Sequence, residues 1–280
     1  MKKLKLKEIL EGIEDNRRKN SVMYPLYEVL FIMIIAIMCG ATSYVKIEMF
    51  GKSRQEWFAK YLKLENGIPD ALTFRKILIM ITPSKMHELF AEWMKTIVLN
   101  LKGVVAIDGK QARRTGDETK RPLHVVSAFA HEFGVVLGQI ACEEKSNEIT
   151  AIPKLLEMLE ITGCIVTIDA MGTQTEIAKK IRGKGADYIL SLKGNQAGLY
   201  DDVKLFMDEY CKDKEAKNDD IYAYSLENEH SRLEKRECFI CEDIGWLPGR
   251  EKWTDLNGIG MIIAKVEENG KKTEQRHYFI

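Results

Sequence analysis

Val104-Val105-Ala106-Ile107-Asp108-Gly109-Lys110 and Cys164-Ile165-Val166-Thr167-Ile168-Asp169 share one build: a short, largely β-branched apolar run that closes on an aspartate. Each run is too short for a core helix and reads as a buried strand. Between the two, residues 124–131 and 135–142 flank Glu132-Phe133-Gly134 as a hairpin, and 147–159 reads as a helix with Gly163 as its terminator. Residues 173–182 predict a second helix, 186–192 a further strand running into Lys193-Gly194-Asn195-Gln196, and 196–211 a third helix. The order β, β-hairpin, α, β, α, β predicts an α/β sheet of mixed direction rather than a uniform βαβ series. After a polar stretch at 212–220, residues 222–226 and 234–241 read as strands, and 260–267 with 276–280 as a pair around Asn269-Gly270, a strong hairpin signal.

Upstream the texture is helical. Pro25 can open a helix whose apolar face runs to Cys39 and which Gly40 ends, and 47–50, 57–62 and 74–81 recur at helical spacing. Pro69-Asp70-Ala71-Leu72-Thr73-Phe74 makes a turn before the last of these, and Pro83-Ser84 opens a helix holding Met86, Leu89, Phe90 and Trp93. The change of texture at 100–103 places a boundary there, with an all-helical domain over 1–100 and an α/β domain over 101–280. The 280 residues, 45% hydrophobic and 30% charged, exclude a disordered or fibrous chain. Lys+Arg and Asp+Glu both number 42, so the whole chain exerts no pull on polyanions and any such site must be local. The longest apolar run, 29–41, has 13 residues against the roughly 20 of a membrane span, so it reads as a core helix with no membrane role. The N-terminus is charged and lacks the apolar run of a secretory signal, which predicts a cytoplasmic location. Six scattered cysteines fit reduced thiols rather than a disulfide framework.

Asp108 and Asp169 both stand where an α/β sheet opens its ligand crevice. If their strands are neighbours the carboxylates converge, and two converging carboxylates repel unless a cation lies between them. Hard oxygen ligands with open positions suit Mg²⁺ or Mn²⁺ bound to a phosphate substrate. The bland reading is that strand-end aspartates cap turns, and the sequence leaves both open. Residues 102–121 carry six basic against three acidic residues, and 179–193 five against one, which brings positive charge to the same sheet end for phosphate backbones or for a solvated face. Arg232, Glu234 and Arg236 share one strand face by period two, as a phosphate contact or as a salt-bridge ladder. Cys238-Phe-Ile-Cys241 has no second ligand pair at zinc spacing.

Several motifs in fixed order resemble one family. Asp15-Asn16-Arg17-Arg18, Tyr24-Pro25-Leu26, Met38-Cys39-Gly40-Ala41, Asn66-Gly67-Ile68-Pro69 and Thr73-Phe74 resemble the N-terminal associated domain of H-repeat-type insertion-sequence transposases. Ala106 to Lys110, Leu123 to Ala128, Lys145-Ser146-Asn147-Glu148-Ile149, Ile168-Asp169-Ala170-Met171, Leu192 to Gln196 and His230 to Arg236 resemble their DDE catalytic domain in the same order. The resemblance implies a ribonuclease-H-like mixed sheet flanked by helices, with an inserted β-region, and three acids that hold two Mg²⁺ ions for strand cleavage and transfer at transposon ends. Asp108 matches the first acid and Asp169 the second. The third, a glutamate on a late helix, is expected beyond Ile280, with Glu234 an upstream strand residue, so the chain is expected to be a C-terminally truncated copy with little activity of its own. Lys110, Arg113, Arg114, Lys193, Asn195 and Arg232 are the expected contacts to double-stranded DNA, and a homodimer bridging two ends is the expected assembly. A catalytically inactive DNA-binding remnant and a metal-dependent phosphohydrolase are the alternatives; the second leaves the basic stretch at 111–121 unexplained.

Overall fold

The computed structural model describes the chain except for residues 1–4, 19–21, 99–100, 113–114, 116–121, 143–147, 213–220, 230–231 and 269. It divides into two compact units, 1–99 and 100–280.

The first unit holds α1 (Lys5–Glu11), α2 (Leu26–Met38), α3 (Tyr44–Ser53), α4 (Gln55–Phe58), α5 (Ala71–Met80) and α6 (Pro83–Ile97). An almost wholly apolar helix must be enclosed, and α2 buries Val29, Leu30, Phe31, Ile32, Met33 and Ala36 among Leu6, Leu10, Ile47, Phe58, Phe74 and Ile77. Helix α3 approaches closely at Gly51, where a Cβ would lie 2.7 Å from Ile68 Cγ2 and 3.3 Å from Ile32 Cγ2. Starts are set by caps: Ser43, Asp70 and Thr82 accept from the backbone N–H of Lys46, Thr73 and Lys85. Pro25 stands just before α2, and Gly40 follows its end at φ 92°. The buried Glu28 carboxylate accepts from Lys63 N at 3.0 Å and from the Tyr27 hydroxyl at 3.1 Å. The Tyr27 phenol is pushed up to about 12, by burial first and by the Glu28 charge second.

The second unit is a mixed α/β structure on one nine-stranded sheet, ordered β3-β2-β1-β4-β5-β9-β8-β7-β6. The strands are β1 (Gly103–Gln111), β2 (His124–Ala130), β3 (Val135–Cys142), β4 (Cys164–Ile168), β5 (Asp187–Leu192), β6 (Tyr222–Glu229), β7 (Arg232–Cys241), β8 (Ile259–Glu268) and β9 (Lys271–Phe279). β1, β4 and β5 run parallel, while β2 and β3 form the expected hairpin antiparallel to β1. Three helices connect or cover them: α7 (Glu148–Met158), α8 (Thr175–Gly183) and α9 (Ala197–Tyr210). Alternate residues Val105, Ile107, Val166, Ile168, Leu190 and Leu192 are buried, which by the two-residue period is the helix-covered face. The opposite face carries Ala106, Thr167 and Ile189.

β9 meets β5 through Ser191↔Phe279 and Leu192↔Tyr278. From there β6 to β9 stay paired with one another as far back as Lys271, seven residues beyond Tyr278. At about 3.3 Å per residue this antiparallel ribbon reaches roughly 23 Å past the carboxyl end of β5.

Candidate active site

The parallel pairing of β1 with β4 aligns Ile107 with Ile168, so Asp108 and Asp169 each stand one residue beyond an aligned pair. Neighbouring strands lie about 4.8 Å apart, and aligned residues of parallel strands project to the same side. Ile107 and Ile168 turn into the helix-covered core; by strand alternation the next residue of β1, Asp108, faces the other side, and Asp108 and Asp169 are both exposed. Asp108 stays within β1, pairing across to Ser127 of β2 after the parallel ladder has stopped. That is a revision of the strand end expected at Ile107: the hairpin partner holds the polar residues Asp108 to Gln111 extended.

Asp169 keeps extended backbone at φ −68° and ψ 173° and caps a 3₁₀ turn, Ala170–Gly172, its Oδ1 accepting from Met171 N at 3.1 Å and Gly172 N at 3.4 Å. The capping role and a ligand role are compatible, since a carboxylate has about four lone-pair sites. The turn is tied down by residues from the end of β5. The fully buried Thr173 hydroxyl donates to Ser191 O at 2.6 Å, Gln196 Nε2 donates to Thr173 O at 3.0 Å, and the Asn195 amide donates to Ala170 O. The Asn195 side chain therefore faces the Asp169 turn. Thr173 and Gln196 had no role in the sequence reading, because nothing in local pattern signals a bond across two strand ends.

Lys110 lies two residues beyond Asp108 on the same face, its Nζ 3.2 Å from Asp108 Oδ2, with side chains 82% and 52% exposed. A pair so exposed is weak and yields readily to a phosphate. Lys193 is exposed immediately past β5. Arg113 and Arg114 lie outside the described residues. Arg232 is on β7, four strands from β4 and so roughly 19 Å away across the sheet. Its guanidinium pairs with Glu234 Oε2 at 2.8 Å, and Arg236 pairs with Glu234 Oε1 at 2.6 Å. Other cations of the second basic stretch are also committed: Lys180 pairs with Glu157, and Arg182 with Asp187 and, at 3.0 Å, with Asp255. Among the described residues no group of three His, Cys, Asp or Glu gathers as a metal cage.

Comparison with known proteins now places the chain. Residues 7–94 match the family described as DDE_Tnp_1-associated, and residues 99–240 match Transposase DDE domain. A protein encoded in the dhlA 3' region of Xanthobacter autotrophicus is 33% identical over 278 residues, covering 98% of this chain and 93% of that protein. The H repeat-associated proteins YhhI and YbfD of Escherichia coli (strain K12) are each 40% identical over 242 residues, 85% of this chain, which is 63% of YhhI and 94% of YbfD. The chain belongs to the DDE transposase family, within its H-repeat-associated group. No described helix is long and apolar enough to cross a membrane.

Proposed function

We propose that this protein is a DNA transposase that cleaves and joins strands at insertion-sequence ends, with Asp108 and Asp169 as its metal-holding acids. The observation that supports the reading is the pairing of Ile107 with Ile168 on adjacent parallel strands, which leaves Asp108 and Asp169 each one residue past that pair. A hairpin antiparallel to three parallel strands is the mixed sheet that a ribonuclease-H-like domain over 101–280 calls for, and the six helices of 5–97 fit a helical associated domain over 1–100. The donor set fits Mg²⁺ or Mn²⁺: both carboxylates are exposed hard oxygen ligands, and the ion pair that Asp108 makes, with Lys110, is itself largely exposed and yielding. A divalent ion, if held by Asp108 and Asp169, would activate a water or the 3′-hydroxyl of the DNA and would neutralise charge developing on the phosphate. Lys110 and Lys193 flank the pair and hold the backbone of double-stranded DNA, while Thr173, Asn195 and Gln196 keep the Asp169 turn in place. A homodimer bridging two ends completes the proposal.

One observation favours a second reading, DNA binding without cleavage: no third acid joins the pair among the described residues. Incubating the full chain with supercoiled plasmid carrying the element's ends separates the two. Mg²⁺- or Mn²⁺-dependent nicking that is lost in Asp108→Ala and in Asp169→Ala supports the transposase. Nicking at the wild-type rate in Asp108→Ala refutes the assignment of the acids, and a salt-sensitive gel shift without nicking supports the binding protein. Displacement of the DNA by free nucleotides at similar concentration would point instead to a phosphohydrolase.

A further inference from the structure

Behind the Asp108 strand end, on the face that α7 covers, lies a buried ionisable pair. Glu148, the first residue of α7, and His124, the first of β2, are 3% and 8% exposed. His124 Nε2 and Glu148 Oε1 share a hydrogen bond. The same carboxylate sits on the backbone of Gly109, where a Cβ would lie 2.3 Å from Glu148 Oε1 and 2.4 Å from its Cδ. Glycine is what admits it. Residue 109 follows Asp108 directly, so a hydrogen-bonded carboxylate presses on the strand from the side opposite to the one the Asp108 side chain faces. Glu148 therefore has no path to the ion that Asp108 would hold, and its role toward that site has to run through the backbone. The Cys142 thiol, across the β2–β3 ladder from His124, is raised by burial first and by the Glu148 charge second. A carboxyl so deeply buried needs a partner, and His124 supplies it.

We propose that Glu148, oriented by His124, is a positioning residue: seated on Gly109, it fixes the Asp108 end of β1 beside β4 and so keeps the two acids at metal-sharing separation. The inference rests on the reading of Asp108 and Asp169 as a metal pair. It is tested on the full chain by titrating Mn²⁺ alone, with free ion read by electron paramagnetic resonance, together with amide hydrogen exchange over 108–111. Glu148→Ala is expected to weaken Mn²⁺ binding about 10-fold, as loss of an outer support does, and to speed exchange at 108–111 while leaving α2 unchanged. Glu148→Gln, which keeps the shape and an oxygen for His124, should restore both. Should Glu148→Ala fail to fold, Glu148→Asp withdraws the carboxylate from Gly109 by one methylene and should weaken Mn²⁺ to a similar degree. Wild-type Mn²⁺ affinity in the folded Ala or Asp variant, with Asp108→Asn strongly impaired, overturns the positioning role alone. Mn²⁺ affinity unchanged in Asp108→Asn overturns the metal pair itself, and the positioning role with it.

Discussion

Asp208, on α9, is held by three donors: Lys204 Nζ at 2.6 Å on one oxygen, and Arg276 Nη1 and the Tyr278 hydroxyl, each at 2.7 Å, on the other. Burial works to raise this carboxyl, and the hydrogen bonds outweigh it, bringing it from its ordinary 3.8 down to about 2. A carboxyl depressed in the folded state stabilises the fold above its unfolded value and loses that contribution as pH falls through the folded one. Asp208 therefore contributes on the order of 1–2 kcal/mol above about pH 4, and that contribution disappears toward pH 2. Thermal melts of wild type and Asp208→Asn should differ most at pH 5 and converge near pH 2; a constant difference across that range would contradict the assignment. Thr173, fully buried, donates through its hydroxyl to Ser191 O. Replacing its buried hydroxyl in Thr173→Val leaves Ser191 O without its donor, which should cost about 1–3 kcal/mol, lower the urea midpoint, and speed amide exchange over 170–173.

Among the elements, β4 matches its reading residue for residue because a buried parallel strand is a continuous apolar run. The ribbon strands β6, β7 and β9 are longer than the apolar criterion could see, since Leu226 to Glu229 and Lys271 to Gln275 alternate polar side chains with both faces wet. Helix α1 escaped because a single apolar pair, Leu6 and Leu10, anchors it in a charged stretch. Helical spacing over 57–62 overran α4, which stops at Phe58; the following turn offers Lys63 N–H to Glu28, a partner 35 residues away. Asp108 and Asp169 could be singled out because each follows a short apolar run, which is a local signal. The latch of Thr173, Asn195 and Gln196 and the seat of Glu148 exist only once distant strand ends have met. In helix α2, Phe31 is fully buried and meets Phe58 edge-on at 6.3 Å, so Phe31→Ala should cost about 3–5 kcal/mol in chemical denaturation.

For the molecule as a whole, zero net charge means that DNA affinity has to come from a few local cations. Lys110→Ala and Lys193→Ala should each weaken DNA binding and lower the slope of log affinity against log salt by about 1. Arg182→Ala should leave the slope as it was, because that guanidinium is already committed to Asp187 and Asp255. Equal effects from all three, measured by fluorescence anisotropy between about 50 and 200 mM salt, would mean that the charge acts diffusely rather than at the sheet end.

The contact of Glu148 with Gly109 also shapes how copies of such a gene can decay. Every replacement of a glycine adds at least a Cβ, and at position 109 that atom meets the Glu148 carboxylate, which has to leave its seat to make room. A side chain at 109 and the present seat of Glu148 therefore exclude one another. Loss of either residue undoes the same contact, so a copy that has replaced the glycine no longer holds its glutamate in this role.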